Sequence, residues 1–226
     1  MDSTKQIARH AGLLYFLSFL VAPIGLMYVP GKLFVSGNAV ATANNIRASD
    51  WLLRLGIGSE LVGQILAIFI ILALYRLFKP VDERLALKML VLGALVSVPI
   101  MFVNLLNYIA ASILAGGADY LSTFTPAQLD SLTYLFMRLH GQGHVVASVF
   151  WGLWLFPFGM LVIRSGFIPK ILGYLLYVAG VGYCLSASAI LLFSQYKDLV
   201  TQIAMVMYFG EVPIIFWLLI WGAREK

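Results

Sequence analysis

Six apolar runs divide the chain, near residues 11–29, 52–77, 87–114, 142–163, 170–193 and 199–222. Each is long enough to cross about 30 Å of hydrocarbon as a helix, which takes about 20 residues. Continuous hydrophobicity over such lengths predicts an all-α fold, a polytopic transmembrane helix bundle with six spans. No internal repeat, low-complexity tract or linker marks a second domain, so residues 1–226 are expected to form one integral membrane domain.

The connections are uneven. Phe78-Lys79-Pro80 ends the second run, and Ser165-Gly166 with Pro169 separates the fourth from the fifth. Residues 30–50 form a longer link, in which NAVATANNIRASD is suited to a short surface helix. Residues 116–138 form another. There Thr125, Pro126 and Gln128 make a helix start: a capping hydroxyl, proline at the first position and an amide three residues after the cap. Leu129, Leu132, Phe136 and Leu139 then recur at helical spacing opposite Asp130, Ser131, Tyr134 and Arg138, the pattern of an outer interfacial helix. Run on to Arg164, that helix would be about 58 Å long. A bend is therefore expected at Gly141 and Gly143. Pro23, Pro99, Pro157 and Pro213 each free a carbonyl one turn earlier within a span.

Composition strengthens the membrane reading. Of 226 residues, 62% are hydrophobic and 11% charged, whereas soluble domains sit near 45–50% and 25%. The net charge of +5 belongs to orientation rather than nucleic-acid binding, because no nucleic-acid motif accompanies it. Ten basic residues (Lys5, Arg9, Arg76, Lys79, Arg84, Lys88, Arg164, Lys170, Arg224 and Lys226) fall on one side and five (Lys32, Arg47, Arg54, Arg138 and Lys197) on the other. Both termini are thus expected in the cytoplasm of a bacterial cell, with membrane lipid as the surrounding partner. The first run is read as a retained helix rather than a cleaved signal. The single cysteine, Cys184, excludes a disulfide within the chain.

Candidate chemistry lies in the few ionisable or amide side chains inside the runs, which cost about 2.5–3.5 kcal/mol each to insert when charged. At about 1.5 Å per residue, Glu211 stands about 20 Å from Arg224, and Glu60 about 24 Å from Arg76. Asn104 stands about 24 Å from Lys88, and His144 about 30 Å from Arg164. These depths predict one outward-facing pocket. Gln64 shares a helix face with Glu60, Asn107 and Tyr108 share one with Asn104, and His140 shares one with His144. The expected ligand-binding set is Glu60, Gln64, Asn104, Asn107, His140 and Glu211. The expected metal set is His140, His144, Glu60 and Glu211, whose nitrogen and oxygen donors suit zinc or a similar ion. Each residue also has a structural reading. Glu60 can pair with Arg54, the asparagines can tie helices, and a backbone carbonyl can satisfy His140.

Several segments together resemble a known family: ATANNI, GSELVGQ, LALYRLFKPV, VSVPI, FWGLWLFPFGMLV, RSGFIPKILG and FGEVP before FWLLIWG. They are similar to the bacterial membrane family called domain of unknown function 4386, over about Ile7 to Gly222. Glu60, Asn107, His140, Trp151 and Glu211 fall within segments that are similar to the family pattern. The resemblance implies an integral membrane protein and no particular activity. Three functions stay open from the sequence: binding of a small polar or amphiphilic, lipid-like ligand with proton coupling; metal-dependent hydrolysis within the membrane; and a structural or accessory subunit. An oligomer is compatible with each.

Overall fold

A computed structural model describes residues 3–224; Lys226, counted above among the orientation charges, lies outside them. Within the described residues the chain is helical and has no strand. Six helices are long and apolar enough to cross a membrane: α1 (Thr4–Leu33), α3 (Asp50–Phe78), α4 (Glu83–Gly116), α5 (Pro126–Ser165), α6 (Lys170–Leu192) and α7 (Ser194–Ile220). A short helix, α2 (Ala39–Ala48), sits in the first long connection, where Asn38 caps it by accepting from the Ala41 amide at 2.9 Å. Only 22% of the apolar stretch of α1, and the same share of α7, is buried by protein. Side chains such as Val103, Leu95 and Val206 stand exposed, as an apolar solvent around the bundle would allow.

The prolines interrupt the spans where their missing amides predict. Pro157 cannot bond the Leu153 carbonyl, and α5 divides there into Pro126–Leu153 and Leu155–Ser165. Before Pro99 lies a π turn, Val91–Val96, and before Pro213 a 3-10 turn, Phe209–Glu211. In α1 a π turn, Ile24–Tyr28, lies between Pro23 and Pro30. Pro30 was expected to open the connection. Instead it occupies a first-turn position of the regular stretch Val29–Leu33, which proline tolerates, and α1 continues to Leu33.

The helix is not broken at Gly141 and Gly143, where a bend or break was expected: both glycines are helical within Pro126–Leu153. The stretch predicted to lie in the interface is the beginning of α5. Its start is the anticipated capping box: the Thr125 amide donates to Gln128 Oε1 at 2.8 Å, and the Gln128 amide to Thr125 Oγ1 at 3.3 Å. Of its polar face, Ser131 and Arg138 are exposed, while Asp130 and Tyr134 meet protein. Asp130 is buried against Arg47 at 2.8 Å, and the Tyr134 hydroxyl accepts from the Gly37 amide at 2.8 Å.

Two compact units emerge. The first comprises residues 3–18, 65–99 and 145–224; the second comprises 19–64 and 100–144. The first has a core of Phe78, Leu155, Phe158, Leu161, Leu176 and Leu218. In it α5 and α6 meet along a glycine seam. A Cβ on Gly159 would lie 2.7 Å from the Gly173 carbonyl oxygen, and one on Gly152 2.7 Å from that of Gly180. Only glycine permits so close an approach of two backbones. The second unit has its own core, including Val29, Ile46, Leu53, Leu105, Tyr108 and Met137.

Candidate functional site

The second unit gathers Glu60 from α3 and His140 and His144 from α5. The Glu60 and His140 side chains are each 2% exposed, and their Oε2 and Nε2 atoms are 3.1 Å apart. His144 Nε2 lies 3.4 Å from the other carboxylate oxygen, Oε1. One donor atom from each residue falls within 4.8 Å of the other two. Arg54, the alternative partner for Glu60, pairs instead with Asp50 at 2.5 Å.

The surrounding side chains hold this group in place. Helical spacing puts both imidazoles on one side of α5, with ring centroids 4.4 Å apart and planes at 82°. The Tyr108 ring stacks on His140, centroids 3.4 Å apart, and fixes the plane of the imidazole. Asn104 donates from Nδ2 to the His140 carbonyl at 3.0 Å and accepts from Asn107 Nδ2 at 3.0 Å. This approach requires Gly143, because any Cβ there would collide with the Asn104 amide. The glycine thus serves proximity. Gln64, one turn along α3 from Glu60, is half-buried and makes no hydrogen bond to the group among the described residues.

On the far side of Glu60 stands α1. A Cβ on Gly25 would lie 2.6 Å from Glu60 Cγ, so glycine makes room for the carboxylate arm. Ser59, beside Glu60 in sequence, accepts from the Gly25 amide at 3.0 Å and donates to the Val21 carbonyl at 2.9 Å. Those two backbone groups would bond each other in a regular helix. The hydroxyl is inserted between them, where α1 enters its π turn.

The group of close donors consists of Glu60, His140 and His144 among the described residues. Glu211 belongs to the first unit, where its Oε1 accepts from the Tyr15 hydroxyl and its Oε2 from the Tyr183 hydroxyl at 3.4 Å. Tyr208 stacks on Tyr183 at 4.3 Å between centroids. Tyr15, Tyr183, Ser59 and Gly25 were not singled out in the sequence. A phenol or a small residue in an apolar run looks like ordinary packing until its neighbour on another helix is known.

The donor spacing bears on what the group can hold. Zinc bonds of about 2.0–2.1 Å in a tetrahedron place neighbouring ligand atoms roughly 3.3–3.4 Å apart. The two carboxylate–imidazole distances, 3.1 and 3.4 Å, run to different carboxylate oxygens, and the shorter is also that of a hydrogen bond; with one donor atom taken from each residue, the three lie within 4.8 Å of one another.

Fold and site together define a multi-pass α-helical membrane protein with a buried carboxylate–bis-histidine group. The chain belongs to the family described as Domain of unknown function (DUF4386), whose profile matches residues 10–222. A relative in Archaeoglobus fulgidus, named only as an uncharacterized protein, is 31% identical over 162 residues, covering 71% of this chain and 79% of that one. No solved structure matches the chain.

Proposed function

We propose that the protein binds a divalent metal, zinc or a similar ion, through Glu60, His140 and His144 and presents it to a small polar or amphiphilic ligand. The observation that carries this reading is the convergence of three donor atoms within 4.8 Å of one another in a buried setting. Three protein ligands leave a fourth position for water or a ligand, as in zinc sites that act on something rather than merely brace a fold. The site is set in a bacterial cytoplasmic membrane with both termini in the cytoplasm; the ten-to-five distribution of basic residues supports that orientation.

Ligand binding fits the group better than hydrolysis of a lipid-like substrate. A metallohydrolase needs a base beside the metal-bound water. Here the carboxylate is engaged as a ligand, and no fourth His, Cys, Asp or Glu joins the group among the described residues. An accessory-subunit role predicts no metal at all.

Elemental analysis of protein purified in zinc-containing buffer and then desalted tests the reading. About one zinc per chain is expected, and H140A and E60Q should fall to background. Wild-type protein that retains no metal, and gains no thermal stability from zinc or manganese, would remove the proposal.

A further inference from the structure

A second feature stands apart from the carboxylate–histidine group and does not depend on it. The first unit contains an open cavity of about 880 Å³. Arg76 at the end of α3, Arg164 at the end of α5, Arg224 beyond α7 and Lys5 at the start of α1 all line it. No Asp or Glu lines it among the described residues. The nearby carboxylate of Asp82 bonds Arg164 at 2.8 Å, which offsets one charge, while Arg76 and Arg224 line the same space.

A basic residue in the last turn of a helix has an ordinary explanation, since it complements the helix dipole and orients the chain. That explanation does not require such residues to converge. Here the backbone brings them together. Gly166 and Gly222 adopt the left-handed conformation, with φ of 72° and 68°, and reverse the chain after α5 and α7. The Arg224 amide then donates to the Phe167 carbonyl at 3.0 Å and joins the two reversals. The Arg224 guanidinium lies over the Trp217 ring, 5.2 Å from its centroid, while Asp82 orients that of Arg164. Two of the three arginines are thus preorganised. The rest of the wall combines apolar Ile7, Leu77, Val81 and Phe167 with the hydroxyl residues Ser3, Thr4 and Ser165. A cavity of this volume lies in the range that holds small ligands.

We infer that this cavity is a binding site for a phosphate-bearing anion. Arginine forks match phosphate oxygens in pairs, and the lack of a lining carboxylate among the described residues favours an anion over a cation or zwitterion. The anion has two possible sources with the same chemistry: a soluble phosphate, or the headgroup of an anionic phospholipid with its chains along the apolar wall.

The test uses the full-length protein in nanodiscs. One arm adds inorganic phosphate or pyrophosphate to discs of phosphatidylcholine. The other replaces about a third of that lipid with phosphatidylglycerol. Thermal stability and the apparent affinity for the anion are read in both, for wild type, R76Q, R76Q/R224Q and the control R84Q/K88Q, whose residues do not line the cavity. Stabilisation in the first arm assigns a soluble phosphate, and stabilisation in the second alone assigns a lipid headgroup. In either case R76Q should weaken the apparent affinity about tenfold, and the control should leave it within about twofold. Should the double variant fail to fold, R76Q alone decides. No stabilisation in either arm, or an equal loss in the control, overturns the inference, the latter because attraction would then be diffuse. Zinc content is unaffected by either outcome, so this result and that for the metal site are separable.

Discussion

Glu211 and Glu60 are both carboxylates inside apolar helices, yet their surroundings differ in kind. Glu60 faces two imidazoles, which can share a cation with it. Glu211 accepts hydrogen bonds from two phenols, which offer protons and no ligand pair. Tyr15→Phe should therefore cost stability, about 1–3 kcal/mol for stranding a half-buried acceptor, and leave zinc stoichiometry unchanged. Thermal unfolding and metal analysis on the same preparation check both halves. The placement of both glutamates inside apolar helices was legible in the sequence, and because charge in oil is costly both were expected to meet polar groups. Their separate partners were not. Spacing along a helix yields depth, which is one coordinate of three; the rotation of each helix, which decides what a side chain meets, leaves little trace in a single sequence.

At the level of helices, the prolines and glycines carry most of the detail. Proline acts through its own backbone, so interruptions before Pro99, Pro157 and Pro213 follow from the chain alone. Glycine acts through whatever lies opposite. The same residue type that suggested a bend at Gly143 proves to be a contact with Asn104. The seam of Gly152 and Gly159 against Gly180 and Gly173 has a seven-residue spacing on both helices, a signal that could have been found. Gly173→Val should separate α5 from α6 and lower stability by about 1–3 kcal/mol, through overpacking against the Gly159 carbonyl. Denaturation in detergent measures this; a change below about 0.5 kcal/mol would mean that the helices can move apart freely.

For the molecule as a whole, the membrane reading rests on the strongest signal in the sequence, and all six spans are present. Their limits moved outward, as in α1 and α5, because regular helix continues into segments whose polar side chains find protein partners. The proposed orientation is open to a direct experiment. In a C184S background, a cysteine from Ser36→Cys in the 34–38 connection should react with an impermeant maleimide in intact cells. One from Lys79→Cys should react only after lysis. The opposite pattern would invert the topology. Metal binding also has a whole-molecule signature. If zinc is present at about 100 times its dissociation constant, its removal costs about 2.7 kcal/mol, so a chelator should lower the melting temperature by roughly 5–10 °C. Imidazole and carboxylate must be unprotonated to ligate, so acidification should release zinc and shrink the chelator effect toward zero. A chelator effect that does not change with acidity would point to a different binding group.

A single hydroxyl, that of Ser59, occupies the gap between a donor and an acceptor that a straight α1 would have closed on itself. Few small side chains can give and take a hydrogen bond at once; alanine can do neither. Losing that capacity would invite the neighbouring helix to rewind into its regular form, turning Gly25 away from the arm of Glu60. A residue that touches no metal and no ligand therefore sets the shape of the wall they would meet.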